Sequence, residues 1–230
     1  MGKREKYDLL KIEDPEEWLK ERTNGIGASE ASAVYGNSQF MSNIDLWKIK
    51  TGKAEPKDMS SNQDVQDGKE WESVIRNIFT AKYKDKYDVE YHPYWIYRSK
   101  KYPFMFATLD GVLTDKDTGE RLVLEIKNCK PQGKFGWQEW DNGRVKSAYY
   151  AQIVHQVIVT GFSGAILVAC LHKRNGDFDY REYEFDKAVI EQQKDDKTLI
   201  AYEREFWDCV VNKKIPSPRL ELSISEVLKK

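Results

Sequence analysis

The sequence has 230 residues, of which 40% are hydrophobic, 13% aromatic and 33% charged, with a formal net charge of -1. That length fits one domain over residues 1–230, and the apolar fraction supports a sizeable core, which excludes a disordered chain. The near-zero net charge excludes a strongly basic fold that coats its partner, so any nucleic-acid contact must rest on a local basic patch.

In chain order, the N-terminal MGKREKYD has no hydrophobic signal core, and Lys6 stands where a myristoylation motif needs Ser or Thr. Asp14-Pro15-Glu16-Glu17 reads as a helix start, with an N-cap, a proline at the first position and acids in the first turn. In GIGASEASAVYG, Ser29 caps or opens a second helix and Gly36 ends it. Asn43 to Thr51 predicts a short helix stopped by Gly52, and the polar run Glu55 to Asp67 predicts a loop. From Gly68 to Tyr83, apolar Trp71, Val74, Ile75, Ile78 and Phe79 recur at helical spacing and predict one buried stripe.

The period then changes. Val89 to Tyr97 reads as a strand interrupted by Pro93, and Phe104 to Leu113 and Leu122 to Lys127 as two strands joined by the turn TDKDTGE. Ser147 to Thr160 is helical in spacing. Ala165 to Leu171 is a buried strand, Tyr180 to Phe185 a strand after the Asn175-Gly176 turn, and Glu191 to Val211 a final amphipathic helix. The order predicts an α/β (α+β) fold with one mixed central sheet flanked by helices. Cys129, Cys170 and Cys209 form no CxxC pair, so a zinc or iron–sulfur site has little support. The most apolar segment, Val157 to Leu171, falls short of the ~18 residues that span a bilayer. A soluble, cytoplasmic protein without membrane contact is expected.

Chemistry concentrates in LVLEIK. Side chains alternate along a strand, so Glu125 and Lys127 share a face about 7 Å apart, with Leu122, Leu124 and Ile126 on the other, toward the core. Glu125 and Lys127 are expected to face outward into a cleft. A plausible hairpin register brings Asp110 to Glu125. Two carboxylates at one point repel unless a cation sits between them, and magnesium suits an all-oxygen site that keeps several waters. A cation there binds a phosphate oxygen and activates water, while Lys127 holds or deprotonates that water or neutralises the phosphorane. The same E-x-K is also the pattern of a solvated surface ion pair.

The D…ExK arrangement, preceded by a helix glutamate, resembles the PD-(D/E)xK nuclease superfamily with its restriction-endonuclease-like core. More narrowly, it resembles the phage lambda exonuclease and YqaJ-type viral recombinase family. Five motifs carry the likeness between about Trp18 and Pro216: RTNGIGASEASAVYG, GKEWE, ATLDG with LEIK, SAYYAQIVHQVIVTG and FWDCVVNKKIPSP. The family's proline before the aspartate is Leu109 here, and its phosphate-site serine is Thr108, which keeps a hydroxyl.

The resemblance implies a single nuclease domain, a 5′→3′ exonuclease acting on linear double-stranded DNA ends; the alternatives are an endonuclease or Cas4/RecB-like nuclease on the same core, or a non-catalytic DNA-end-binding module. It makes Asp110, Glu125 and the Ile126 carbonyl metal ligands, and has Lys127 orient the water. Glu72 contacts the metal-bound water or a second metal. Helical spacing favours Glu72 over Glu70 beside the apolar stripe. Arg22, Ser29, Thr108 and Gln152 form a 5′-phosphate pocket, consistent with the forked donor of arginine, the hydroxyl donors and a helix N-terminus at Ser29. Spacing does not separate Gln152 from Gln156, and the family register favours Gln152; Tyr149 and Tyr150 stay undivided. The implied cofactor is Mg²⁺, with Mn²⁺ as substitute. A ring-shaped homotrimer and a single-strand annealing protein are implied partners, and a phage gene expressed in a bacterial cytoplasm the implied setting.

Lys130, Lys134, Arg144 and Lys146 supply positive charge after LEIK. Among them Phe135, Trp137 and Trp140 either stack on bases or fold into the core, and SQFMSN offers a second wedge. His92, His155 and His172 fall in no metal-ligand spacing and are read as structural.

Overall fold

The computed structural model describes residues 5–56 and 63–219. The first strand, β1 (Tyr7–Lys11), precedes helix α1 (Pro15–Glu21), whose N-cap Asp14 accepts the Glu17 N–H at 3.0 Å. A short β2 (Ile26–Gly27) and a single 3₁₀ turn (Ala28–Glu30) lead into α2 (Ala31–Tyr35). Gly36 ends α2 at φ 85°, a left-handed conformation that favours glycine. Helix α3 (Asn43–Lys50) is capped by Ser42, and α4 (Gln63–Lys82) is the longest helix among the described residues.

The expected loop from Glu55 to Asp67 is partly wrong: α4 already begins at Gln63, while 57–62 lie outside the described residues. The stripe on α4 is narrower than the spacing suggests. Ile75 and Phe79 are buried, but Val74 and Ile78 are exposed.

The strands form two sheets rather than one. β3 (Tyr87–Glu90), β6 (Gly111–Asp115), β7 (Arg121–Cys129), β8 (Gly164–His172) and β9 (Phe178–Asp186) make a mixed five-stranded sheet in the order β3-β6-β7-β8-β9. β4 (Trp95–Ser99) and β5 (Met105–Ala107) join β1 and β2 in a second sheet, ordered β1-β4-β5-β2. The run expected as one strand from Phe104 to Leu113 therefore passes from one sheet to the other across Thr108–Asp110. Likewise, Val89 to Tyr97 divides between the sheets around Pro93. The parallel β7–β8 pair needs a crossover, supplied by α5 (Gly133–Gln138) and α6 (Ser147–Thr160).

Helix α6 lies between the sheets. Ile153, Val154 and Val157 pack with Tyr97 and Met105 on one side and Val123 and Leu167 on the other. α4 covers the opposite face of the larger sheet, where Ile75 and Phe79 meet Leu124, Ile126 and Val168. β7 thus has both faces buried, as strands in parallel pairings commonly do. The terminal helix is two helices, α7 (Lys187–Gln193) and α8 (Asp195–Val211), divided at Lys194 with φ 65°.

Gly164 opens β8 where Phe185 of β9 crosses closely. A Cβ there would lie 2.1 Å from the Phe185 carbonyl oxygen, which is backbone and cannot swing away. Gly164→Ala is expected to destabilise the protein by about 3 kcal/mol, seen as a lower urea midpoint at unchanged slope. An unchanged midpoint would contradict this β8–β9 approach.

Candidate active site

The β6–β7 register pairs Gly111 with Leu124, so carrying the chain one residue further brings Asp110 opposite Glu125. Asp110 Oδ2 accepts the Ile126 N–H at 2.8 Å, which fixes the carboxylate against β7 just beyond the end of the ladder. Leu124 and Ile126 point toward α4, which sends Glu125 and Lys127 to the α6 face.

There the structure corrects the expectation of an outward-facing pair. Glu125 is 1% exposed, beneath α6. Gln152 Nε2 donates to Glu125 Oε1 at 2.7 Å and Gln156 Nε2 to Oε2 at 2.6 Å. The i,i+4 spacing lets one helix face hold both oxygens, so both glutamines serve this carboxylate. Lys127 Nζ lies 2.5 Å from Glu125 Oε1 and donates to Gln152 Oε1 at 3.0 Å. Gln152 thereby bridges the acid and the base. Tyr149 lies under Lys127, with its ring centre 5.0 Å from the ammonium, whereas Tyr150 turns away to donate to Asp195 at 2.7 Å.

Charge is crowded around Asp110. Burial, then the nearby Glu125 and Glu72 carboxylates, push its pKa well above the usual carboxylate range, against the pull of Lys127 and the Ile126 N–H. Burial also raises Glu72, opposed by Arg76. For Lys127 burial disfavours the charge, but Glu125 and Asp110 outweigh it and the pKa rises, so the side chain is an ammonium here.

Arg76, one turn on from Glu72, ion-pairs with that acid, and its Nε donates to the Asp110 carbonyl oxygen at 2.7 Å. Its guanidinium also stacks on Tyr91, 3.5 Å from the ring centre. Sequence reasoning gave Arg76 no role. Its i,i+4 spacing to Glu72 was the available signal. Glu70 is exposed, and Glu72 is the inward acid.

The residues expected to bind phosphate come together. Arg22 is sandwiched by aromatics, 4.6 Å from the Trp18 ring centre and 5.6 Å from that of Phe106. Its Nη2 donates to Ser29 Oγ at 3.4 Å, and no carboxylate among the described residues lies within ion-pair distance. Burial lowers its pKa and Glu30 raises it. Thr108 Oγ1 accepts from Trp18 Nε1 at 3.3 Å. Ser29 sits in the 3₁₀ turn before α2 rather than at the start of a long helix, so the hydroxyl is its clearer contribution. One cavity of about 530 Å³ is lined by Arg22, Ser29, Lys127 and Gln152 together.

The basic segment after β7 divides. Lys130 pairs with Asp67 at 2.9 Å and Lys146 with Glu139 at 3.3 Å, while Lys134 is exposed on α5. Of the aromatics, Trp140 is a core residue at 1% exposure and Trp137 packs partly against the core. Phe135 stands 82% exposed and Phe40, in SQFMSN, 93%. His155 is buried, 2.8 Å from Glu203 and 2.9 Å from the Phe106 carbonyl. His172 contacts Asn128 at 2.6 Å, and His92 stacks on Trp95.

Among the described residues no group of three or more His, Cys, Asp and Glu side chains is arranged to hold a metal by itself. The donors present are two carboxylates and a main-chain carbonyl. Of the two Asp110 oxygens only Oδ2 is engaged by a described residue, whereas both Glu125 oxygens accept from the α6 glutamines. The N–H and C=O of one strand residue point to the same side, so the Ile126 carbonyl turns toward Asp110 as well. This hard-oxygen set, crowded with like charge, fits a magnesium ion that retains several waters.

Residues 17–163 match the model of the YqaJ-like viral recombinase domain, which is well over half of the chain. The chain belongs to the YqaJ-like viral recombinase family. It is 27% identical over 220 residues to the uncharacterized protein YqaJ of Bacillus subtilis (strain 168), covering 94% of this chain and 62% of that one. It therefore spans less than two thirds of that relative's length.

In fold, this family member resembles the alkaline exonuclease LHK-Exo of Laribacter hongkongensis, with TM-score 0.60 and 18% identity over 86% of this chain and 95% of that one. The complex of LHK-Exo with dAMP matches at TM-score 0.59, again at 18% identity and with the same coverage. The mixed α/β architecture is thus that of the alkaline exonuclease LHK-Exo. No helix among the described residues is long and apolar enough to cross a membrane.

Proposed function

We propose that this YqaJ-family protein is a magnesium-dependent 5′→3′ exonuclease. It digests one strand of linear double-stranded DNA from a 5′-phosphorylated end and leaves a 3′ single strand for recombination. Manganese substitutes for magnesium in this reading. The observation that carries it is the shared cavity: the Arg22 guanidinium, without an ion pair among the described residues, and Ser29 open onto the same space as Lys127 and Gln152. A terminal phosphate held at Arg22 would share its cavity with Lys127, which pairs with Glu125. A mononucleotide-sized product also suits a fold related to one solved with dAMP.

Each side chain then has a task. Asp110, Glu125 and the Ile126 carbonyl supply the oxygens for magnesium. A bound magnesium supplies Lewis acidity and a more acidic water. Lys127 orients the water by donating to it and offsets negative charge developing on phosphorus. Gln152 fixes the spacing of Glu125 and Lys127, and Gln156 holds the second Glu125 oxygen. Glu72 stands ready for the metal-bound water or a second metal, and Arg76 holds it in place. Thr108, whose hydroxyl accepts from Trp18, keeps its own proton for a phosphate oxygen.

Lys130, Lys134 and Lys146 would follow the duplex backbone. Their contribution falls as salt rises. A ring trimer around the duplex, a single-strand annealing partner and a bacterial cytoplasmic setting complete the proposal by family likeness. The test is product analysis on a 5′-phosphorylated duplex. Mononucleotides and a 3′ overhang should appear with Mg²⁺ and vanish with EDTA. Oligonucleotide fragments cut from within the strand would instead identify an endonuclease.

A further inference from the structure

Glu30 presents a difficulty for the proposed phosphate pocket, on which this inference rests. Glu30 is among the residues that line the cavity with Arg22, Ser29, Lys127 and Gln152. An acid facing a phosphate seat repels the ligand. Two contacts restrain it. Glu30 Oε2 accepts the Gly27 N–H at 2.8 Å and lies 2.8 Å from Lys50 Nζ.

Lys50 comes from the far end of α3. Its side chain is 2% exposed, a rare state for lysine unless it is paired. The same ammonium donates to the Arg22 carbonyl oxygen at 2.8 Å and lies 5.8 Å from the centre of the Phe106 ring, which Arg22 also faces. Lys50 is therefore tied to both residues that bracket the pocket: the backbone of Arg22 and the side chain next to Ser29. Arg98, the third cation at the Phe106 ring, is already matched by Glu21 at 2.7 Å.

The geometry points to Lys50 as a positioning residue that masks Glu30 and pins the Arg22 main chain, so that the pocket presents positive charge to a strand-terminal phosphate. With Lys50 present, Arg22, Lys50 and Glu30 together carry a net positive charge. Without it the set is neutral, and Glu30 keeps only the Gly27 N–H to hold it back from the cavity. Lys50 acts through its neighbours and does not touch the reacting atoms. Its effect should therefore appear in the choice of strand end rather than in hydrolysis itself.

The experiment compares initial rates with Mg²⁺ on two duplexes that differ only in a 5′-phosphate or a 5′-hydroxyl, alongside thermal melting of each variant. Lys50→Met should lower the phosphate-to-hydroxyl rate ratio by about tenfold and leave the hydroxyl-ended rate unchanged. Adding Glu30→Gln to Lys50→Met should restore the ratio, which loss of packing alone would not allow. Glu30→Gln alone keeps both cations and should hold the ratio at or above the wild-type level, a reading that stands even if Lys50→Met does not fold.

An unchanged ratio in Lys50→Met, a double variant that stays low, or a lower ratio in Glu30→Gln would each overturn the inference. A wild-type protein indifferent to the 5′-phosphate would overturn the pocket reading and this inference with it. A preference that survives Lys50→Met would sink the inference alone.

Discussion

Lys127→Ala is expected to slow phosphodiester cleavage by about 10³-fold while the protein still binds 5′-phosphorylated ends. The side chain is an ammonium held between Glu125 at 2.5 Å and Gln152 at 3.0 Å. It is too well fixed to contribute much to loose electrostatic attraction, and Arg22 and Ser29 remain to hold the end. The loss should therefore fall on kcat, with end binding by gel shift in Ca²⁺ close to wild type.

Removing one partner of a buried pair leaves a charge behind, which costs up to ~3–5 kcal/mol. Here Gln152 and Gln156 still donate to Glu125, so the stability loss should lie below that range. A Lys127→Ala protein that cuts at the wild-type rate would remove the lysine from the chemistry. One that loses end binding as completely as cutting would make it a phosphate ligand instead.

The second large effect has opposite signs in activity and stability. Asp110→Asn should lose activity by ~10³-fold or more, yet melt higher than wild type in EDTA, by an amount on the order of 1 kcal/mol. Asp110 is crowded by Glu125 and Glu72, and the asparagine still accepts the Ile126 N–H. Because its folded pKa is raised, the stability contributed by Asp110 is fully present below about pH 4, its unfolded value, and is lost as pH rises through the folded value. The stabilising effect of Asp110→Asn should thus be absent in strong acid and grow toward neutrality. Mg²⁺ should raise the melting temperature of wild type and much less that of the variant, since a ligand stabilises only the state that binds it. A lower melting temperature for Asp110→Asn throughout, with an undiminished Mg²⁺ response, would contradict this picture of the acids.

Local signals in the sequence carried much of the site. The E-x-K spacing put Glu125 and Lys127 on one face, and the Asp-Gly at the start of β6 located Asp110. Hairpin arithmetic then joined them in the observed register. What local signals could not carry was the other side of each contact. Leu122, Leu124 and Ile126 announced one buried face of β7, but Glu125 lies on a second buried face, roofed by a helix more than twenty residues later in the chain.

The second sheet was hidden for a similar reason. YDLLK has no clear alternation, and its partner β4 lies far along the chain, so nothing nearby marks Tyr7–Lys11 as a strand. The apolar run through Phe104 to Leu113 gave no sign that the chain changes sheets at Thr108–Asp110. That change matters, because it places Thr108 beside Trp18 and Asp110 beside Ile126. The division of the last helix depends on Lys194 adopting φ 65°, which composition does not announce. For Trp140 only the packing divides stacking on bases from folding into the core: its ring is in the core, and its carbonyl accepts from Arg181 and Tyr183.

The central claim is that cleavage begins at a phosphorylated DNA end and runs from it. The most direct measurement is nucleotide release from 5′-phosphorylated linear duplex beside a covalently closed circle of the same sequence, with Mg²⁺. The account predicts steady release of mononucleotides from the linear form and an intact circle. Nicking or linearisation of the circle, or a well-folded protein that releases nothing from either, would contradict it.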